Sequence, residues 1–396
     1  MPFQFRTYVK TFFQSFKLNA PWTGPRIGLM LFMYGLFPLL EIFNWMTLMV
    51  DEVFFRGYKK VQVKAPVFIV GNPRSGTTYL HRLMSLNKGR FNSLKMYDMI
   101  FLSVWVKKLI GLAAAIDDKI GRPMAKLLEK VQAVLFREAD KIHKMRLNHP
   151  EEDEAVMIHT FFTIYIAIMF PVPAMEVVNR FDELPDDLRR KLTDFYKRCI
   201  QRHLYCHGGD HYTLLSKNPT FCTKLKSILE VFPDARVVYI ARRPYESVAS
   251  THNMIDKIQK TQLKLDREDD RHEIVLDTVV YFYQHALEII DQHDQALTMT
   301  VTYDDLVNSP RETVEAIYKK FDIPQSEEDR AELVRVTEKN KSYKSKHQYS
   351  LDQFGLTKVE VYRKTRSVFE RFGFDPEGAD RESEAEESDG AKARTA

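Results

Sequence analysis

Between Phe68 and Met84 the chain reads FIVGNPRSGTTYLHRLM: β-favouring residues, a turn bounded by Gly71 and Gly76, then apolar residues at helical spacing. That order predicts a buried strand, a glycine loop and a helix, which aims backbone N–H groups and the positive helix end at one point. Ser75, Thr77 and Thr78 add hydroxyl donors and Arg74 adds a cation, so the loop reads as an anion site. A Walker A loop carries lysine directly after its second glycine, with a magnesium-binding Ser or Thr next. Here Thr77 stands in the lysine's place, and no acidic strand end suits the metal. The loop therefore suits an anion approached without Mg²⁺ and less highly charged than a β,γ-phosphate pair. A P-loop kinase or NTPase is the competing reading, and Mg²⁺-dependent ATP binding would distinguish it.

The flanking sequence sets the fold class. Strand-like runs at VQVKAPVFIVG, YTLLS, RVVYIA and ALTMTVTYDDL alternate with helical patterns at 185–204, 224–231, 273–292 and PRETVEAIYKKF. Such alternation needs crossover connections, so the expectation is α/β: a P-loop-type three-layer fold, its central parallel sheet flanked by helices. With 396 residues, 44% of them hydrophobic, the chain can bury a full core. Its 58 basic and 54 acidic residues leave a net charge of +4, too balanced for broad phosphate neutralisation, so no nucleic-acid partner is expected. Three cysteines, Cys199, Cys206 and Cys222, suit a reducing compartment. The expected organisation is an apolar segment over 1–60, a catalytic domain over 61–374, and a disordered acidic tail over 375–396 that lacks large apolar residues.

The N-terminal segment raises the question of a membrane. Ile27 to Val50 is long enough to span a bilayer, but Pro38, Glu41 and Asn44 interrupt it. Lys10, Lys17 and Arg26 precede it and Asp51 and Glu52 follow, so a span would place the rest of the chain outside, against the cysteine usage. Three readings stay open: a segment on the membrane surface, a true span and a buried helical pair. A cytoplasmic protein, peripheral on the cytoplasmic face of a membrane, agrees best with the composition. The run is too long for a cleaved signal.

PRSGTTYL resembles the 5′-phosphosulfate-binding loop of the sulfotransferase superfamily, whose donor is 3′-phosphoadenosine 5′-phosphosulfate (PAPS). VVYIARRPYESVAS resembles that family's 3′-phosphate site, with Arg242, Pro244 and Ser250 at the matching positions. LLSKNP resembles the strand end that carries a catalytic lysine, here Lys217, and VTYDDLVNSPRETVEAIYKKFDIP resembles the following strand and helix. The resemblance runs from about Val61 to Leu356, and HPEEDEA with YKSKHQYSLDQFGL points to a bacterial-type group. It implies a PAPS-dependent sulfotransferase that needs no metal and acts on a hydroxyl; the apolar N-terminal segment points to an apolar or lipid-like acceptor. Arg74, Ser75, Gly76, Thr77, Thr78, Arg242, Ser250, Lys346 and His347 would hold the donor, with Lys341 and Lys344 beside them. A non-catalytic membrane-associated scaffold on the same fold is the third reading.

Cytosolic animal enzymes of the family place a histidine base where this chain has Pro219, so the base must come from elsewhere. Glu152, then Glu151, is the expected source within the run Glu151-Glu152-Asp153-Glu154, although acids in a first helical turn also simply offset the macrodipole. His81 and His149 are alternatives. HLYCHGGDH gathers His203, Cys206, His207 and His211, yet no second cysteine pair supports zinc there. The aromatic run Thr160 to Phe170 reads as core, with one face available to an apolar acceptor.

Overall fold

The computed structural model describes residues 2–18, 20–135, 146–262, 264, 271–340 and 350–383. Five described strands, β1 (Val67–Gly71), β2 (Phe91–Asn92), β3 (Thr213–Lys217), β4 (Arg236–Ala241) and β5 (Thr298–Thr302), form one parallel sheet in the order β2-β3-β1-β4-β5. Every residue of β1 is buried, as a strand covered on both faces requires. Phe68 and Val70 join Val237 and Tyr239 in the larger core, while Val67 and Ile69 join Val238 and Ile240 in a second one. The two-residue alternation of strand side chains thus produces the three layers that the sequence implies.

The loop after β1 feeds α1 (Thr77–Met84), as expected from the glycine spacing. Gly71 is required by contact: a Cβ there would lie 2.6 Å from the Ile240 carbonyl oxygen. Gly76 caps α1 at φ +90°, where a side chain would also press on Tyr303 and Leu306. The chain leaves β3 and returns as β4 on the other side of β1, so the strand order reverses at β1. The carboxyl ends of adjacent strands splay apart at such a reversal and open a crevice.

N-terminal to the sheet, one helix runs Gly24–Phe54, preceded by the helix Phe5–Lys17. A π-turn over Phe32–Leu36 interrupts it just before Pro38, which has no N–H to return to the preceding turn. Glu41 and Asn44, which read as interruptions, and Asp51, which reads as a flanking charge, face the body of the protein. Glu41 bonds His159 Nδ1 at 2.6 Å, and Asn44 donates to the Ile100 carbonyl at 3.1 Å. Asp51 accepts from Ser103 Oγ, the Val104 and Trp105 amides and Arg202 Nε at 2.8–3.1 Å. The helix Val104–Lys119 packs beside it, followed by Pro123–Leu135.

Two expectations need correction. The acidic run opens a 3-10 helix, Asp153–Thr160, and not an α-helix; it closes at Phe161 in the left-handed region, φ +56°. The tail expected to be disordered from Asp375 begins with placed residues: Glu377 bonds Arg243 and Lys358, Tyr245 donates to the Pro376 carbonyl, and Ala379 is buried. Residues 384–396 lie outside the described residues.

Candidate active site

A cavity of about 2190 Å³ occupies the crevice at the sheet's carboxyl edge. The β1 loop supplies Arg74, Gly76, Thr77 and Thr78 to its lining. Arg74 adopts φ +68°, and its Nε donates to Ser250 Oγ at 3.3 Å. Arg242, one residue beyond β4, donates to the Arg74 carbonyl and lies over the Tyr303 ring, 4.3 Å from its centroid. Pro244 opens the helix Pro244–Asp256 that carries Ser250. Arg74, Arg242 and Ser250, far apart in sequence, thus meet at one wall with the amino end of α1. Ser75 lies behind the loop, fully buried, and its Oγ has no partner. The arrangement offers two guanidinium groups, hydroxyls and a helix amino end to an anion.

The second wall carries the other chemistry, with Glu152 and Tyr165 on the lining and Lys217 buried outside it. Lys217 ends β3 with its side chain almost wholly buried, and its Nζ donates to Glu152 Oε1 at 2.8 Å. Tyr165 donates to the other Glu152 oxygen. Burial and the adjacent Glu152 carboxylate push the Tyr165 phenol well above its ordinary range, which keeps it a donor. The four carboxylates of the acidic run divide. Glu151 and Glu152 line the cavity. Asp153 is buried and receives the Tyr196 hydroxyl, while Glu154 is held by Lys224 at 3.0 Å and by Thr163 at 2.7 Å. Desolvation raises the Asp153 carboxyl to about 6.

The alternative bases sit elsewhere. His81 is buried against Ser93 at 3.0 Å; burial first, then Lys217, lowers it to about 3. His149 is exposed, and neither histidine lines the cavity. Lys341, Lys344, Lys346 and His347 lie outside the described residues. The aromatic run is mostly core, with Phe161, Phe162 and Phe170 buried, while Tyr165 and Ile168 face the cavity. His203 and His207 do come together, but with Asp98: each stands 3.5 Å from its Oδ1, and Lys107 stands 3.6 Å away. Against the upward push of burial, Lys107 and the two histidines hold Asp98 well below the usual carboxylate range. Sequence reasoning passed over Tyr165, Arg82 and Tyr303 as site residues; only the three-dimensional contacts single them out.

A sequence profile of the Sulfotransferase family matches residues 66–327, which contain both walls. The chain belongs to the sulfotransferase family. This sulfotransferase is 26% identical over 326 residues to proteins of Mycobacterium bovis and Mycobacterium tuberculosis, each named omega-hydroxy-beta-dihydromenaquinone-9 sulfotransferase Stf3. The match covers 78% of this chain and 75% of theirs. Its fold matches the crystal structure of sulfotransferase STF9 from Mycobacterium avium with a TM-score of 0.67 at 16% identity, over 95% of this chain and 98% of that one. Sulfotransferase STF1 from Mycobacterium tuberculosis gives 0.63 at 21% identity, over 91% of each chain.

Proposed function

We propose that this sulfotransferase moves the sulfuryl group of PAPS to a hydroxyl of an apolar, lipid-like acceptor on the cytoplasmic face of a membrane. The observation that carries the reading is the pairing of a buried lysine with a carboxylate of the same cavity that Arg74, Arg242 and Ser250 line. The 5′-phosphosulfate would lie in the β1 loop, where Thr77, Thr78 and the start of α1 line the cavity and supply donors, and the 3′-phosphate against Arg242 and Ser250. The acceptor oxygen attacks sulfur in line, and the bond from sulfur to the bridging phosphate oxygen breaks. Glu152 takes the hydroxyl proton, and Lys217 with Arg74 meets the charge that grows on the departing adenosine 3′,5′-bisphosphate. No step asks for a metal.

The apolar character of the acceptor rests on the lining beyond Glu152, where Met99, Ile158, Ile168 and Val172 continue the cavity. The Mycobacterium relatives, named for a hydroxylated menaquinone, support the same class. Thermal melting tests the donor half. Adenosine 3′,5′-bisphosphate at about a hundredfold over Kd should stabilise the protein by roughly 2.7 kcal/mol, and ATP with Mg²⁺ by far less. Equal stabilisation by both would favour a P-loop NTPase.

A further inference from the structure

We propose that the amino-terminal helices, together with the helices Val104–Lys119 and Pro123–Leu135, form a face outside the sheet that docks on one membrane leaflet, and that the acceptor enters the cavity from the lipid through this face. The proposal deepens the functional reading above and rests on its apolar acceptor.

The helix Gly24–Phe54 is amphipathic in the reverse sense from a helix that merely covers a core. Its polar residues Glu41, Asn44 and Asp51 are buried and bonded to the body, while Leu39, Met46 and Met49 are 62%, 63% and 68% exposed. The neighbouring helices extend the same character with Leu112 and Ile116, then Leu127 and Val134, all exposed. Isolated exposed apolar residues are ordinary; a continuous field across three adjoining helices is not.

Three observations select a bilayer as the occupant. Trp22, Trp45 and Trp105, all the tryptophans of the chain, lie partly exposed within this field, the placement that favours the lipid–water boundary. Exposed Lys10, Lys17, Lys119, Lys126 and Lys130 rim it, against exposed Asp118 and Glu129, which suits anionic headgroups. The cavity reaches the same helix: Phe37 and Leu40 line it, and Phe32, in the π-turn, both lines it and is half-exposed. The inner face of the helix is thus a cavity wall and its outer face is apolar. Crossing the membrane would strip Glu41, Asn44 and Asp51 of their partners, so the helix lies in the leaflet plane.

The three tryptophans make the test intrinsic. The full-length protein is mixed with vesicles of phosphatidylcholine alone or with phosphatidylglycerol, some carrying bromine shallow or deep on the acyl chain, and quenching is read. Expected are stronger binding to the anionic vesicles and quenching mainly by shallow bromine. The triple variant Leu39→Glu/Met46→Glu/Leu112→Glu, at residues outside the cavity lining, should bind vesicles about tenfold less or weaker still. It should keep the parent's melting shift with adenosine 3′,5′-bisphosphate, which shows that it folds. Quenching by deep bromine alone would mean a span and overturn the proposal. So would a detergent-free dimer that ignores vesicles, because the face would then be covered by a second copy. Loss of the nucleotide shift in the parent, with vesicle binding intact, would instead remove the functional reading.

Discussion

At the scale of single residues, the pair Lys217–Glu152 is the centre of the proposed site. Its two members are proposed to act on opposite ends of one transfer, so each should be costly to remove in a different way. Lys217→Ala and Arg74→Ala are expected to lower kcat by roughly a hundredfold or more while donor binding changes little, because both are proposed to meet charge that grows in the transition state. A raised KM with normal kcat would make either one a binding group. Glu152→Gln should lose roughly 10² to 10⁴ in turnover together with the low-pH limb of the rate profile, and still bind adenosine 3′,5′-bisphosphate. If Glu151→Gln alone is inactive, the role belongs to that neighbour. Tyr165→Phe removes a donor from the Glu152 carboxylate and should cost about tenfold in kcat while moving the acidic limb toward neutrality. The glycine loop was legible in sequence because its signals lie within a few residues of one another. Tyr165 was not, because only the fold brings it to Glu152, and in its own segment it reads as one more aromatic among core residues.

At the scale of elements, the carboxylate of Asp51 ties three together. It receives two amides at the start of Val104–Lys119, where helix N–H groups lack intrahelical partners, and it pairs with Arg202 on the helix Asp186–Cys206. Asp51→Ala would leave a buried guanidinium less well paired and two amides without acceptors. The expected loss is about 3–5 kcal/mol, measured by denaturant titration. A loss within experimental error would show that Glu52, which also bonds Arg202 at 2.9 Å, suffices. The periodicities placed two strands within a residue, YTLLS as Thr213–Lys217 and RVVYIA as Arg236–Ala241, but the run from Val61 starts six residues before β1 and the two-residue edge strand β2 was not foreseen. What periodicity withheld was direction. Glu41 and Asn44 read as flaws in an apolar run, and Asp51 as a charge that merely flanks it, because the sequence does not say what stands opposite them. The acidic run likewise concealed that two of its members are structural and two face the cavity.

At the scale of the whole molecule, buried histidines set the response to acid. Burial lowers His81 to about 3 and His203 to about 4, against roughly 6.5 in an unfolded chain. The unfolded state therefore binds these protons first, and stability present above about pH 6.5 is lost as pH falls toward 4, at roughly 3 kcal/mol per pH unit for the two. Asp153 opposes this. Raised to about 6, it is protonated in the folded state before its unfolded counterpart, which returns roughly 1 kcal/mol per unit below pH 6. Denaturant titrations between about pH 7 and 5 should show a net fall, and a flat profile would contradict the buried neutral imidazoles. The cavity has a further consequence, since its lining includes both Arg242 and Phe32 of the amino-terminal helix. An enzyme fed from two phases has two kinds of concentration in its rate law. On the proposed reading, the donor counts per volume of solution, but the acceptor counts as a mole fraction of the leaflet. Adding inert lipid at constant total acceptor would then slow turnover, although nothing in solution had been diluted.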